Sequence, residues 1–228
     1  MPSAAHPAAL GIVRGYRAAR IARRGLHAFD NRQWARGNMV ASLVHARPWL
    51  TTAPCVVAYG DVVFHPDIVR QLCASGDDVA LVYDVAWRDL WAARFARPEE
   101  DAESFRTAHG RVVEIGRRVT DLDRVEGQFM GLLRFSPDGW RLVEAELARL
   151  DESTRRALQT TQLLQLLVER GARVAAIPVH GRWCEVDSAS DLALYEAALA
   201  RPGWRHDWRP GWTVTRAGAH RDAPGAGA

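Results

Sequence analysis

Two aspartates are the first residues in this chain that invite a chemical reading. Asp61 follows the apolar run in Cys55-Val-Val-Ala-Tyr-Gly-Asp61-Val-Val-Phe64, and Asp187 stands likewise in Trp183-Cys-Glu-Val-Asp187-Ser-Ala-Ser-Asp-Leu192. Each ends a β-favouring segment just ahead of a helical one. In an open α/β sheet, ligands gather in the crevice beyond the carboxyl ends of the strands. Two carboxylates delivered there from distant parts of the chain can share one hard cation such as Mg²⁺, which takes oxygen ligands and commonly only one or two carboxylates beside substrate phosphates. Singly, each aspartate also fits a turn or a helix N-cap. As a pair they point to phosphate chemistry.

The elements that must position them alternate. Residues 10–13, 26–29, 55–59, 79–83, 127–135, 172–179 and 182–186 read as strands. Helices are expected from Asn38 onward, with Met39, Leu43, Val44 and Trp49 on one stripe, and over 66–73, 87–95, 140–150, 160–170 and 192–199. Arg17 to Arg24 suggests a basic helical turn. His109-Gly110 marks a hairpin between 104–107 and 111–115. Gly171 stands where a C-cap is needed, and Ser188-x-x-Asp191 has capping-box spacing. This order predicts an α/β domain over residues 9–200 with helices on both faces of the sheet and a hairpin insertion near 104–116. Residues 1–8 read as a ragged lead-in. Residues 201–228, with Arg-Pro-Gly-Trp at 201–204 and 209–212, read as a disordered tail, one tryptophan of which could dock on the domain.

Composition narrows the function. The 228 residues are 48% hydrophobic and 25% charged, with a formal net charge of +3. That charge is mild and evenly spread, which argues against nucleic acid and suits a small anionic substrate. All 30 basic residues counted with lysine are arginines, so phosphate would be gripped by planar guanidinium forks. Cys55, Cys73 and Cys184 form no CxxC pair and are too few for a disulfide framework, which suits a reducing cytoplasm. No apolar run approaches a membrane span.

Other residues could bind ligand. Asp84, Trp87, Asp89 and Trp91 form an aromatic and acidic group after a strand end. A cationic head group could stack on tryptophan and pair with carboxylate there, although Trp87 and Trp91, one turn apart, equally suit a core. Glu126 and Gln128 enter a strand, and Glu185 flanks the second aspartate. Gly37, Asn38 and Gly60 flank helix starts or the first aspartate; Asn38 suits a cap as well as a ligand.

Taken in order, Val13-Arg-Gly-Tyr16, Phe29-Asp-Asn31, Gly37-Asn-Met-Val-Ala-Ser-Leu43, Tyr59-Gly-Asp61, Trp87 through Phe95 with Asp101-Ala-Glu103, Val113-Glu-Ile-Gly116, Glu126-Gly-Gln-Phe-Met-Gly131, Leu163-Leu-Gln-Leu-Leu167 and Gly181-Arg-Trp-Cys-Glu-Val-Asp187 resemble the sugar-phosphate and choline-phosphate nucleotidyltransferases. The resemblance is nearest to the phosphocholine cytidylyltransferase branch, which includes small-phosphonate cytidylyltransferases. It covers roughly residues 10 to 200. It implies a Rossmann-like, three-layer fold of the glycosyltransferase A type, and transfer of CMP from CTP to a small phosphate or phosphonate acceptor such as phosphocholine or 2-aminoethylphosphonate, with release of pyrophosphate. It further implies Asp61 and Asp187 as the catalytic Mg²⁺ ligands, Gly37, Asn38 and Gly60 toward the nucleotide, and Asp84, Trp87, Trp91, Glu126, Gln128 and Glu185 toward the acceptor. The family's opening strand and glycine-rich loop, with its arginine and following lysine-proline segment, have no counterpart before Val13. The expectation is therefore an N-terminally truncated version of the fold. The rival expectation is a non-catalytic remnant that keeps the acceptor pocket as a binding or partner subunit.

Overall fold

The computed structural model describes residues 9–21 and 25–210. In chain order the main elements are β1 (Leu10–Arg14), β2 (Leu26–Asp30), α1 (Met39–Leu43), α2 (Arg47–Leu50), β3 (Cys55–Ala58), β4 (Val62–Phe64), α3 (Pro66–Ala74), β5 (Val79–Asp84), α4 (Trp87–Arg94), β6 (Glu103–Ala108), β7 (Arg111–Arg118), β8 (Gln128–Phe135), α5 (Pro137–Leu147), α6 (Glu152–Ala157), α7 (Thr160–Glu169), β9 (Val174–Val179), β10 (Trp183–Glu185) and α8 (Ala189–Leu199). Six strands form the main sheet in the order β3-β8-β5-β9-β7-β6, while β1 pairs with β2 and β4 with β10 in two small sheets.

The main sheet is mixed. β5 and β9 run parallel, and β8 lies antiparallel between β3 and β5. β5 is the centre: all six of its residues are buried. A continuous apolar run such as Val79-Ala-Leu-Val-Tyr83 has no polar face to show water, so both faces must be covered. α3 packs against β5, β8 and β9, while α5 packs on β8 and α7 on β7 and β9. Phe135, Trp140, Val143, Leu163, Leu164 and Val174 are among the fully buried side chains of this core. The hairpin falls where the sequence places it. His109 and Gly110 have φ of 52° and 70°, the two positive values that a two-residue turn matched to strand twist requires, and β6 and β7 form the edge of the main sheet.

Local chemistry sets several boundaries. Gly171 closes α7 with φ of 83°, a conformation glycine adopts without Cβ cost. Ser188 and Asp191 form a reciprocal capping box that starts α8 three residues before the expected Leu192. The helix expected from Asn38 is segmented into α1, a 3-10 turn at Val44–Ala46 and α2, with Pro48 in the first turn of α2, where its missing N–H costs nothing. The basic helical turn expected at 17–24 is a three-residue 3-10 turn, Ala18–Arg20, preceded by Arg17 in the left-handed region; residues 22–24 lie outside the described residues. β4 and α6 were not anticipated: three and six residues are too few to show a period.

The segment 201–210 is part of the packed structure rather than of a tail. Trp204 stacks on Tyr195 with ring centroids 5.6 Å apart, and His206 and Asp207 are buried. The Arg205 carbonyl accepts from Arg182 N–H at 3.0 Å. Residues 1–8 and 211–228 lie outside the described residues, as does part of the second Arg-Pro-Gly-Trp copy.

Candidate active site

The pairing of β4 with β10 builds the site. Trp183, Cys184 and Glu185 lie opposite Phe64, Val63 and Val62, and the ladder continues one step as Val186 N–H donates to the Asp61 carbonyl at 2.9 Å. This register sets Asp61 beside the Glu185–Asp187 segment, more than 120 positions away in the chain. One carboxylate oxygen from each of Asp61, Glu185 and Asp187 lies within 4.8 Å of the others. Asp61 and Asp187 are exposed and Glu185 is half-buried, so the group opens to solvent on one side. Two further contacts fix β10. Trp183 Nε1 donates to Asp84 Oδ2 at 2.9 Å, and the Tyr195 hydroxyl donates to the Glu185 carbonyl at 2.8 Å.

Three acids this close repel one another, and the protein answers with Arg94. Its side chain is 1% exposed and reaches three carboxylates: Nη1 to Glu185 Oε2 at 3.2 Å, Nη2 to Asp187 Oδ2 at 2.5 Å, and Nε to Asp191 Oδ1 at 3.1 Å. Burial alone would lower the Arg94 pKa; the bonds to Asp191 and Asp187 outweigh it and hold the guanidinium above its usual range, fully charged. Glu185 is pushed up to about 7, by burial first and by the neighbouring Asp187 charge second, with Arg94 acting the other way.

Beside the acids lies a cavity of about 260 Å³. Its walls include Tyr59, Trp91, Phe129, Asp101, Glu103 and Thr161, together with Glu185 and Asp187. Burial raises the pKa of Glu103, whose Oε1 accepts from the Thr161 hydroxyl at 3.3 Å. Asp101 Oδ2 accepts from Trp91 Nε1 at 3.0 Å, so the indole is fixed in the wall. Burial pushes the Tyr59 phenol up to about 12, so it remains a proton donor at neutral pH. Gly131, with φ of 72°, lets the Tyr59 ring lie against the backbone: a Cβ there would sit 2.8 Å from the ring. The result is a small aromatic pocket carrying an excess of negative charge.

Of the residues expected to act, Asp61, Asp187 and Glu185 come together, and Trp91 and Gln128 line the same cavity. Gln128 is buried and its amide is already spent. Nε2 donates to the Glu103 carbonyl at 2.6 Å and Oε1 accepts from Glu103 N–H at 3.2 Å, which fixes Glu103 rather than a ligand. Asp84 and Trp87 do not face the cavity. Asp84 is wholly buried, accepting from Ala86 N–H, Gly181 N–H and Trp183 Nε1, and Trp87 is core at 1% exposure. Both are therefore corrected from ligand contacts to wall supports: the strand end that carries Asp84 turns inward, and its acceptors are satisfied by the protein. Glu126 is exposed and accepts from the Thr107 N–H and hydroxyl at 2.8 and 2.9 Å, away from the cavity lining. Gly37 and Asn38 line a separate open depression with Arg36, Glu152 and Arg156. Asn38 caps α1 through Oδ1 and donates through Nδ2 to the Ala157 carbonyl at 3.2 Å. Gly60 has open space around its Cα. Sequence reasoning passed over Arg94, one arginine among many, and gave no role to Tyr59 or Glu103; the Asp101-x-Glu103 spacing at a strand start was the available signal.

No protein-family model matches the chain. A CTP:phosphoglutamine cytidylyltransferase of Campylobacter jejuni is 31% identical over 179 residues, an alignment that takes in 74% of this chain and 71% of that protein. The chain belongs to the cytidylyltransferase family of nucleotidyltransferases. That relative does not carry the narrower assignment to the phosphocholine branch. Two solved structures share the fold. The inositol-1-phosphate CTP transferase of T. maritima matches with a TM-score of 0.58 at 19% identity, over 75% of this chain and 64% of its own. A Bacillus anthracis structure assigned as a glucose-1-phosphate thymidylyltransferase, in complex with sucrose, matches with a TM-score of 0.58 at 15% identity, over 78% of this chain and 65% of its own. The cytidylyltransferase chain thus spans a little under two thirds of each of these structures, and its architecture is the Rossmann-like nucleotidyltransferase fold. Among the described residues no helix is long and apolar enough to cross a membrane.

Proposed function

We propose that the protein transfers CMP from CTP to the phosphate or phosphonate group of a small acceptor that also bears a cationic group, and releases pyrophosphate. The observation that carries this reading is the β4–β10 register, which gathers Asp61 with Glu185 and Asp187, two residues that also line an aromatic, acid-bearing cavity. The donor set fits a hard divalent cation: all three ligands are carboxylate oxygens, and the two exposed ones leave room for phosphate oxygens. Asp61 and Asp187, joined by Glu185, would hold Mg²⁺. When bound, the ion supplies charge neutralisation at the triphosphate.

The chain's own residues do the rest. An acceptor oxygen forms a bond to the α-phosphorus of CTP as the bond from that phosphorus to the bridging oxygen of the β-phosphate breaks, and pyrophosphate leaves. This displacement needs alignment and a fixed electrostatic environment rather than a covalent enzyme intermediate. Glu103 and Asp101 meet the acceptor's cationic end, Trp91 and Tyr59 enclose it, and the half-buried Glu103 is less screened by water than the exposed Asp101. Phosphocholine and 2-aminoethylphosphonate both have the required two ends. Phosphoglutamine, named in the Campylobacter relative, joins them as a candidate.

The test is ³¹P NMR of the protein with CTP, Mg²⁺ and each acceptor in turn. Pyrophosphate and a CDP-linked product should appear with at least one acceptor, and Asp61→Asn should reduce the rate by at least about 100-fold. Turnover that is indifferent to Asp61→Asn would overturn the reading. Acceptor binding without turnover on any nucleotide would favour the rival role of a binding subunit.

A further inference from the structure

The acidic group at the end of β10 needs a cation whether or not a metal is bound, and the structure already contains one. Arg94 is the last residue of α4, its guanidinium is almost wholly buried, and it is the shared partner of Glu185, Asp187 and Asp191. Its ring neighbours are apolar: the guanidinium carbon lies 4.8 Å from the Phe95 ring centroid and 5.8 Å from that of Trp91. A planar fork is suited to three carboxylates at once, which a compact ammonium is not. Two of the three, Glu185 in β10 and Asp187 two residues beyond it, belong to the group that also contains Asp61; the third, Asp191, belongs to the capping box of α8. Arg94 therefore ties the start of α8 and the end of α4 to the carboxylates on which ion binding depends.

We propose that Arg94 is a positioning residue that serves as the internal counter-cation of this site. It holds Glu185 and Asp187 in their ligating arrangement in the metal-free protein, and its fixed positive charge keeps divalent-ion binding weak enough to exchange. This role rests on the metal-site reading above. If it is correct, a protein without the Arg94 charge must obtain compensation elsewhere, and a divalent cation is the available source. Its stability then becomes metal-dependent by mass action.

The experiment compares thermal unfolding of the full chain as wild type, Arg94→Met and Arg94→Lys, each in EDTA and in Mn²⁺, alongside titration calorimetry of Mn²⁺ without nucleotide. Methionine keeps the apolar packing against Phe95 and removes the charge; lysine keeps the charge and loses the fork. In EDTA, Arg94→Met should melt about 6–20 °C below wild type, as expected when one partner of a buried ionic group is lost in a chain of this size. Mn²⁺ should raise its melting temperature by at least about twice the wild-type shift and bind it more tightly. Arg94→Lys, which keeps the charge but cannot meet all three carboxylates, should lose less in EDTA than Arg94→Met and show a Mn²⁺ shift nearer that of wild type. An Arg94→Met protein that folds only with Mn²⁺ supports the role. One equally destabilised, or equally unfolded, in both conditions overturns it, because Arg94 would then be structural packing alone. Arg94→Lys behaving like Arg94→Met overturns it too. If Mn²⁺ shifts neither wild type nor Arg94→Met, both this role and the metal-site reading fail; a wild-type shift without the larger Arg94→Met shift rejects the role of Arg94 alone.

Discussion

Asp84→Asn perturbs the support of the site at one atom. Asp84 has no solvent exposure, and its carboxylate accepts three hydrogen bonds: from Ala86 N–H at 2.8 Å and Gly181 N–H at 2.9 Å through Oδ1, and from Trp183 Nε1 at 2.9 Å through Oδ2. The nearest cationic candidate, His206 Nδ1, is 3.7 Å away, and burial holds that imidazole below its usual pKa, so three N–H dipoles carry the compensation. Asparagine can keep the two Oδ1 contacts. Its NH₂ must then face the Trp183 N–H, two donors without an acceptor between them. One charge-assisted hydrogen bond is worth about 1.5–3 kcal/mol, and a buried unsatisfied donor costs about 1–3 kcal/mol. Removing a buried charge offsets part of this. The balance is a loss of about 2–4 kcal/mol, or roughly 4–16 °C in melting temperature for a chain of this length. Urea unfolding followed by tryptophan fluorescence measures it, since Trp183 is the residue released. An Asp84→Asn protein as stable as wild type would refute the reasoning and return Asp84 to consideration as a ligand contact.

Further outcomes follow from the cavity and its acids. Glu103→Gln should raise the KM for an ammonium-bearing acceptor by about tenfold at neutral pH, with less effect on the KM for CTP. In the wild type that KM should rise as pH falls toward the Glu103 pKa, which burial sets above the ordinary glutamate value; steady-state kinetics at several pH values check both. Because the folded pKa is the higher one, Glu103 disfavours folding increasingly as pH rises through this window, so Glu103→Gln should gain stability relative to wild type at neutral pH in urea titrations. Gly131→Ala should cost about 1–3 kcal/mol, since φ of 72° is strained for alanine and the Cβ would meet the Tyr59 ring; weaker acceptor binding by calorimetry should accompany the loss. EDTA should abolish product formation in the ³¹P assay, and Mg²⁺ or Mn²⁺ should restore it.

How far the sequence spoke for itself depends on the range of the interaction. Asp61 and Asp187 were legible because each follows an apolar run, a local pattern, and the fold then supplied the pairing. The Ser188 capping box, the Gly171 cap and the His109-Gly110 turn are local in the same way, and all three are formed. Arg94 was not legible: its role arises from three carboxylates about 90 or more positions away, and nothing in its neighbours marks it. Asp84 and Trp87 misled because an acid and an aromatic after a strand look alike whether they face a ligand or the core. Burial decides between the two, and it is a property of the packed layers. The segment 201–210 misled through composition, since its glycine and two prolines obscure the tryptophan and histidine that pack on α8 and β10.

The central claim is that Asp61, Glu185 and Asp187 jointly hold a divalent ion against a nucleoside triphosphate. Anomalous diffraction from crystals grown with Mn²⁺ and a non-hydrolysable CTP analogue tests it most directly. The expected result is a single strong peak bonded to Asp61, Glu185 and Asp187 oxygens at about 2.0–2.6 Å and to phosphate oxygens of the analogue. Bound nucleotide with a metal peak elsewhere, and Glu185 and Asp187 still bonded only to Arg94, would contradict it.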